Sequence, residues 1–167
     1  MSLQTWPYVQ FKGMWSIPDN VMIGVWNKIV DSGRMEQTFY DGFIKNSDDF
    51  LDFMKSSTNI LVLTAYDDHV EIVSIGWING ISNGIAYAHF CYLGKYIKEA
   101  ALMTIDFWKN LDSIKVLIGI TPEEYVAVLK VIESWGFKSI GIVPSLCEMA
   151  YKGKREGGVI SYYLMED

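Results

Sequence analysis

The sequence has 167 residues, half of them apolar, which fits one folded domain over residues 1–167 and excludes an intrinsically disordered chain. Its 14 basic and 20 acidic residues give a formal net charge of −6, which excludes the broad positive field that nucleic-acid binding needs. Two His and two Cys show no metal-ligand spacing or disulfide scaffold, and no segment reaches the roughly 20 apolar residues of a membrane span. We therefore expect a cytoplasmic protein that binds no metal, nucleic acid or membrane.

The first third of the chain predicts two helices. Apolar residues recur at helical spacing from Ile17 to Ser32, and Ser16 or Asp19 is the expected cap. A second, shorter helix follows Ser47, where acidic residues meet its positive N-terminal end. The aromatic segment from Thr38 to Ile44 lies between these helices and is either extended or a loop.

Three strands follow in quick succession and predict an antiparallel meander. A nearly continuous apolar run indicates the first strand, and flanking turns delimit the next two. The three strands are Asn59–Tyr66, Val70–Ile78 and Ile85–Tyr92. Polar turns join them at Asp67-Asp68-His69 and at Ile81-Ser82-Asn83-Gly84, where glycine adopts positive φ at little cost. An additional strand at Tyr8 to Met14 is left open.

The second half of the chain alternates helices and strands. A helical stripe runs from Ile97 to Asn110, and a short strand follows from Lys115 to Ile120. Thr121-Pro122-Glu123-Glu124 predicts a capping box that opens the next helix, which ends at Trp135-Gly136. The rest is predicted as two strands and a turn, at Lys138–Val143, Val159–Leu164 and Gly153–Gly158. The expected class is α/β (α+β), with a mostly antiparallel sheet of about six or seven strands and about four helices.

Two local patterns connect this element order to a known family. The first is a strand, a Gly-containing turn and a helix from Tyr87 to Trp108, and the second runs from Val116 through a helix into Trp135-Gly136-Phe137 and a return strand. Together they resemble the GNAT superfamily of acyl-CoA-dependent N-acyltransferases over about Tyr8 to Leu164. The resemblance implies direct acetyl transfer from acetyl-CoA to a primary amine of a small molecule or peptide, and it leaves a homodimer open. The alternative is a degenerate, phage- or prophage-type member that serves as a binding or assembly module.

The resemblance also places the coenzyme A site. The family pattern Arg/Gln-x-x-Gly-x-Gly/Ala, whose backbone N–H groups hold the pyrophosphate, aligns with Leu93 at its Arg position and with Tyr96 and Lys98 at its glycine positions. Lys95 and Lys98 supply positive charge there, or they are surface side chains of a solvated first turn. The implied cofactor-binding residues are Phe90, Cys91, Tyr92, Leu93, Gly94, Lys95, Tyr96, Ile97 and Lys98.

Two residues are candidates for proton transfer. His89, near the end of its strand, would accept a proton from the amine, or it packs among aromatic side chains. Ile132 stands where the family carries a tyrosine acid, so Tyr125, two turns earlier, is the substitute, unless it is a core residue. Strand alternation puts His89 on one face with Tyr87 and Cys91. Cys91 is interpreted as an inert thiol, because no activating partner is recognisable.

Overall fold

The computed structural model describes residues 2–56, 58–66 and 71–165. The turn predicted at Asp67-Asp68-His69 lies outside the described residues, as does the start of the strand predicted from Val70. Within these ranges the helices are α1 (Asp19–Asp31), α2 (Met35–Thr38), α3 (Ser47–Met54), α4 (Ile97–Lys109) and α5 (Val126–Ser134). The strands are β1 (Leu3–Tyr8), β2 (Gln10–Phe11), β3 (Met14–Trp15), β4 (Ile60–Tyr66), β5 (Ile72–Ser82), β6 (Ile85–Tyr92), β7 (Val116–Pro122), β8 (Lys138–Met149) and β9 (Lys154–Leu164).

Seven strands of the described chain form one sheet in the order β1-β4-β5-β6-β7-β9-β8, and β2 and β3 make a separate hairpin. All neighbours in the large sheet are antiparallel except β6 and β7, which are parallel. The apolar stripes of α1 and α3 pack on one face of this sheet, and those of α4 and α5 pack on the other. The predicted α/β class and its mostly antiparallel sheet are therefore confirmed.

The one parallel pair separates partway along its length. Ile85–Tyr87 pair with Val116–Ile118, and the register goes no further. Beyond this point, within the described residues, β6 pairs with β5 alone and β7 pairs with β9 alone. Two strand edges therefore face each other across a gap with their backbone groups directed into it.

The predicted capping box is wrong. Thr121 and Pro122 are the last residues of β7, paired with Val159 and Gly158 of β9. Glu123 also bonds to β9, because its Oε1 accepts the N–H of Gly157 at 3.3 Å. Helix α5 begins only at Val126, since the ladder between the two strands prevails over the local capping pattern.

The predicted cap of α1 is also wrong. Pro18 occupies the N-cap position, and no side chain in the described part of the chain caps the helix. The Ser16 hydroxyl instead donates to the Pro7 carbonyl at 2.7 Å and accepts the Val9 N–H at 3.0 Å, which fastens the β2–β3 hairpin. Asp19 is the first helical residue, and its carboxylate pairs with Lys55 at 2.7 Å.

Several other boundaries differ from the prediction. Strand β5 continues to Ser82, into the predicted turn, and β8 continues to Met149. The turn expected at Gly153–Gly158 is a short 3₁₀ turn at Ala150–Lys152, closed by Gly153 at φ +60°, while Gly157 and Gly158 belong to β9. The undecided segment from Thr38 to Ile44 begins as the end of α2 and continues as a loop.

Candidate functional site

The gap between β6 and β7 opens into a cavity of about 300 Å³. This volume is at the lower end of the range for small-molecule sites. Side chains from both helical layers line it, so the cavity continues from one face of the sheet to the other. We call its two halves the α5 side and the α2 side, after the helices that border them.

The α5 side of the cavity is apolar and aromatic. Trp135 meets Phe90 and Tyr92 of β6 edge to face, with ring centroids 5.5 and 5.2 Å apart. Ile132, the residue at the position of the family's tyrosine acid, lines the same wall. This wall suits an aliphatic ligand chain and offers no proton donor at Ile132.

The α2 side of the cavity carries most of the polar side chains. The position of this side is set at the end of α1. Gly33 has φ +67°, and its N–H donates to the Val30 carbonyl at 2.9 Å while the Arg34 N–H donates to the Ile29 carbonyl at 3.1 Å. These two bonds form a Schellman motif, which ends the helix and turns the chain toward the sheet. The Arg34 guanidinium then donates to the backbone carbonyl of Tyr92 at the end of β6. Arg34, Gln37, Thr38 and Tyr40 line this side.

His89 lies on β6, the strand between the two sides of the cavity. Its ring stacks on Trp77 with centroids 5.0 Å apart and 7° between the planes, and its Nε2 lies 3.3 Å from Oδ1 of Asn79. Burial lowers the pKa of His89 to about 4, so the imidazole is neutral at pH 7. It can therefore exchange hydrogen bonds with a ligand, although its proton affinity is far below that of an alkylamine.

Cys91 and Tyr125 also line the cavity. Burial raises the pKa of the Cys91 thiol, so this side chain is protonated and not nucleophilic at neutral pH. Burial likewise raises the pKa of Tyr125, which precedes α5 and stays protonated as a potential proton donor. Lys152 lies 5.8 Å from the ring centroid of Tyr125 and pairs with Glu124. The cation of Lys152 is thus already neutralised.

The loop before α4 has an unusual conformation at the position of a family glycine. Tyr96 takes a left-handed backbone with φ +61°, which glycine adopts freely and a tyrosine rarely does. Gly94 packs against β5, where an added Cβ would lie 3.2 Å from Cγ1 of Val73. No side chain of the described residues caps the N-terminus of α4, and Lys95 and Lys98 are exposed beside it.

The cavity brings together only part of the predicted site. The predicted residues that line it are His89, Phe90, Cys91, Tyr92, Ile97 and Tyr125, whereas Leu93, Gly94, Lys95, Tyr96 and Lys98 lie outside its lining. The prediction missed the residues of the α2 side. A glycine directly after a helical stripe, followed by a basic residue, is the signal that could have pointed to Arg34.

Neither a metal site nor a membrane-spanning helix is visible in the part of the chain that the structure describes. No three of its His, Cys, Asp or Glu side chains converge as a metal site requires. None of its helices combines the length and the apolarity needed to cross a bilayer. The prediction of a site without metal stays a prediction.

Solved structures of acetyltransferases are similar to this chain in fold. The spermidine N-acetyltransferase from Vibrio cholerae in complex with CoA and spermine is similar with a TM-score of 0.75 and 9% identity, over 98% of this chain and 95% of that one. The ribosomal-protein-S5-alanine acetyltransferase from Vibrio fischeri is similar with a TM-score of 0.73 and 11% identity, over 99% and 94%. No protein-family model and no curated protein sequence matches the chain. At these identities the likeness shows the fold alone, and the chain has the fold of the GNAT superfamily of N-acetyltransferases.

Proposed function

We propose that the protein transfers an acetyl group from acetyl-CoA to a primary amine of a small molecule or peptide. The observation that carries this proposal is the gap between β6 and β7, with a cavity that is apolar on one side and polar on the other. Two substrates entering from opposite faces of the sheet would meet at this gap. The Vibrio cholerae neighbour, solved with CoA and spermine, supports the same pairing of ligands.

The free edge of β6 fits the pantetheine arm of coenzyme A. The Leu93 N–H donates to the Val73 carbonyl of β5 at 2.8 Å, so the Tyr92 carbonyl of the same peptide bond points the opposite way, into the gap. This carbonyl already accepts a hydrogen bond from Arg34, and its second lone pair is left for a ligand. Because backbone groups alternate between the edges of a strand, the N–H and C=O of Phe90 also face the gap. An extended chain with amide groups can pair with such an edge as a strand would.

The N-terminus of α4 fits the phosphates of coenzyme A. Uncapped helical N–H groups and the positive end of the helix dipole favour an anion there, and Lys95 and Lys98 add positive charge beside it. The left-handed Tyr96 keeps the loop in a conformation that would otherwise call for glycine. These residues would therefore hold phosphate through backbone amides and two lysines, with fewer glycines than the family pattern has.

Direct transfer needs a nucleophile with a free lone pair, a stabilised carbonyl oxygen and a protonated leaving group. A bond forms from the amine nitrogen to the acetyl carbon, the carbon–sulfur bond breaks, and the proton lost by the amine ends on the coenzyme A thiol. We assign His89 the acceptor role in a hydrogen bond that orients the amine, and the Phe90 N–H the donor role toward the carbonyl oxygen. Tyr125 is assigned as the proton donor to sulfur, and the proton lost by the amine restores its hydroxyl, so the net transfer is from the amine to the thiol.

Calorimetric titration with acetyl-CoA tests the proposal first. We expect micromolar affinity and thermal stabilisation, since a ligand at about 100 times Kd adds on the order of 2.7 kcal/mol to the free energy of unfolding. A thiol-release assay with a panel of primary amines then measures transfer. Absence of both heat and thermal stabilisation at that excess of acetyl-CoA would overturn the proposal.

Two departures from the family pattern favour the alternative of a binding or assembly module without catalysis. Ile132 cannot transfer a proton at the family's acid position, and Tyr96 and Lys98 replace glycines. A module of this kind would give no thiol release with any amine. Direct transfer tolerates the loss of the general acid at the position of Ile132. Because the cavity crosses the sheet and offers room for two substrates, we prefer the enzyme to the binding module.

A further inference from the structure

The charge of the cavity is concentrated in one side chain. Among the described residues that line it, only Arg34 carries a full charge at pH 7, because His89 is neutral. Arg34 lies on the α2 side, opposite the apolar wall of Trp135 and Ile132. Its charge is therefore directed to the half of the cavity left for the amine substrate.

The guanidinium of Arg34 is fixed but not neutralised. One of its N–H groups donates to the Tyr92 carbonyl, which holds the side chain at the edge of the gap. Within residues 2–56, 58–66 and 71–165, its other N–H groups have no acceptor, and no carboxylate forms an ion pair with it. A partly buried guanidinium without a counter-charge is unfavourable, and a carboxylate satisfies two of its parallel N–H groups at once.

Among the described residues, the same half of the cavity offers no carboxylate to a second cationic group of a substrate. No Asp or Glu occurs among its described lining residues. The acidic residue of α2, Glu36, lies outside the cavity, beside Tyr151 and the cation of Lys152. Gln37 and Thr38 add neutral hydrogen-bonding groups next to Arg34. A polyamine would thus meet a like charge there, whereas an anion would be bound.

We propose that the acceptor is an amine that also carries a carboxylate, as an amino acid does, and that Arg34 binds this carboxylate on the α2 side of the cavity. The inference rests on the proposed function, and it narrows the substrate class. The carboxylate would lie against the free edge of the guanidinium, and the amine would extend toward His89 and the gap. Charge would then select the substrate before any contact with its side chain.

The test compares Arg34→Gln with the unaltered protein and with Lys45→Gln, which removes a cation from an exposed position outside the cavity. The probes are amino acids, their carboxamides, their decarboxylated amines and spermidine. In the thiol-release assay we expect at least a tenfold preference for the amino acids in kcat/KM. Arg34→Gln should lower kcat/KM for amino acids about 10- to 100-fold, mainly through KM, and change the carboxamides less than threefold. Arg34→Lys should lie in between, because it keeps the charge without the paired donors.

Binding of the same probes to protein saturated with coenzyme A gives a second measurement that needs no turnover. Stronger binding of amino acids than of carboxamides, lost in Arg34→Gln, supports the inference. Equal binding of the two classes, or a preference for spermidine, overturns it. A tenfold loss of acetyl-CoA affinity in Arg34→Gln also overturns it, because Arg34 would then contact the donor. Failure of acetyl-CoA to bind the unaltered protein would instead remove the proposed function itself.

Discussion

The two sides of the cavity are built in different ways. The α5 side consists of interlocked aromatic and aliphatic side chains on regular elements, with Trp135 at its centre. The α2 side consists of polar side chains on a four-residue helix and the loops around it, with Arg34 at its centre. A strand edge and an apolar wall can bind a ligand with few particular side chains, because backbone groups and buried area supply the contacts. Polar side chains on a short helix and its loops can be replaced without loss of the fold, so this side is where selectivity for an acceptor would vary.

The largest expected effect is on the free energy of unfolding, to which the α5 side should contribute far more than the α2 side. Trp135→Ala should lower the free energy of unfolding by about 3–5 kcal/mol, because it removes a buried ring that packs on Phe90 and Tyr92. Gln37→Ala on the exposed α2 helix should change it by less than about 0.5 kcal/mol. Urea denaturation measures both. Similar losses in the free energy of unfolding for the two variants would contradict this difference between the two sides.

The next prediction concerns the two tyrosines that border the α2 side. Tyr125→Phe should lower kcat about 100-fold if its hydroxyl donates the proton to sulfur. Tyr40→Phe is the matched control, because Tyr40 also lines the cavity and its hydroxyl is in contact with Sγ of Cys147 at 3.9 Å. It should change kcat less than threefold. A larger loss in Tyr40→Phe would transfer the role of proton donor to that residue.

The third prediction concerns the pH dependence of stability that His89 causes on β6, the strand between the two sides of the cavity. The pKa of His89 is about 4 in the folded protein and near 6.5 in the unfolded chain, so the unfolded state binds the extra proton between these values. The stability contributed by neutral His89 is therefore complete above about pH 6.5 and is lost as the pH falls toward 4.

A comparison of urea midpoints at pH 7 and pH 5 tests this sign. His89→Gln should lose less stability over this interval than the unaltered protein, since it removes the group that titrates. Any loss of stacking on Trp77 would lower the midpoint of the variant equally at both pH values. Parallel declines in the two proteins would mean that His89 does not stay neutral on folding.

The smallest expected effect concerns the N-terminus of α4, where Lys95 and Lys98 lie. Replacing Lys95 and Lys98 together by Ala should weaken acetyl-CoA binding about three- to tenfold, because exposed charge contacts contribute little individually. Lys130→Ala, at an exposed position of α5, is the control. Unchanged affinity in the double variant would leave the phosphate to the backbone amides alone.

Local sequence signals predicted much of the fold and of the α5 side. β6 has the predicted boundaries, and α3 and α4 follow their apolar stripes closely. The capping box failed because Thr121 and Pro122 belong to a ladder with β9, a partner some 37 residues away that no local pattern reveals. Arg34 was missed because its position depends on where α1 ends and how α2 meets the end of β6.

With Arg34 in its proposed role, the Schellman motif at Gly33 would make the length of α1 a determinant of substrate choice. Successive residues of a helix are rotated by about 100° and advanced by 1.5 Å. Removing a single residue from α1 while its apolar stripe stayed in place would turn Arg34 away from the Tyr92 carbonyl without altering any residue of the cavity. Natural or engineered variation in the length of this helix would therefore change acceptor selectivity even where every lining side chain is retained.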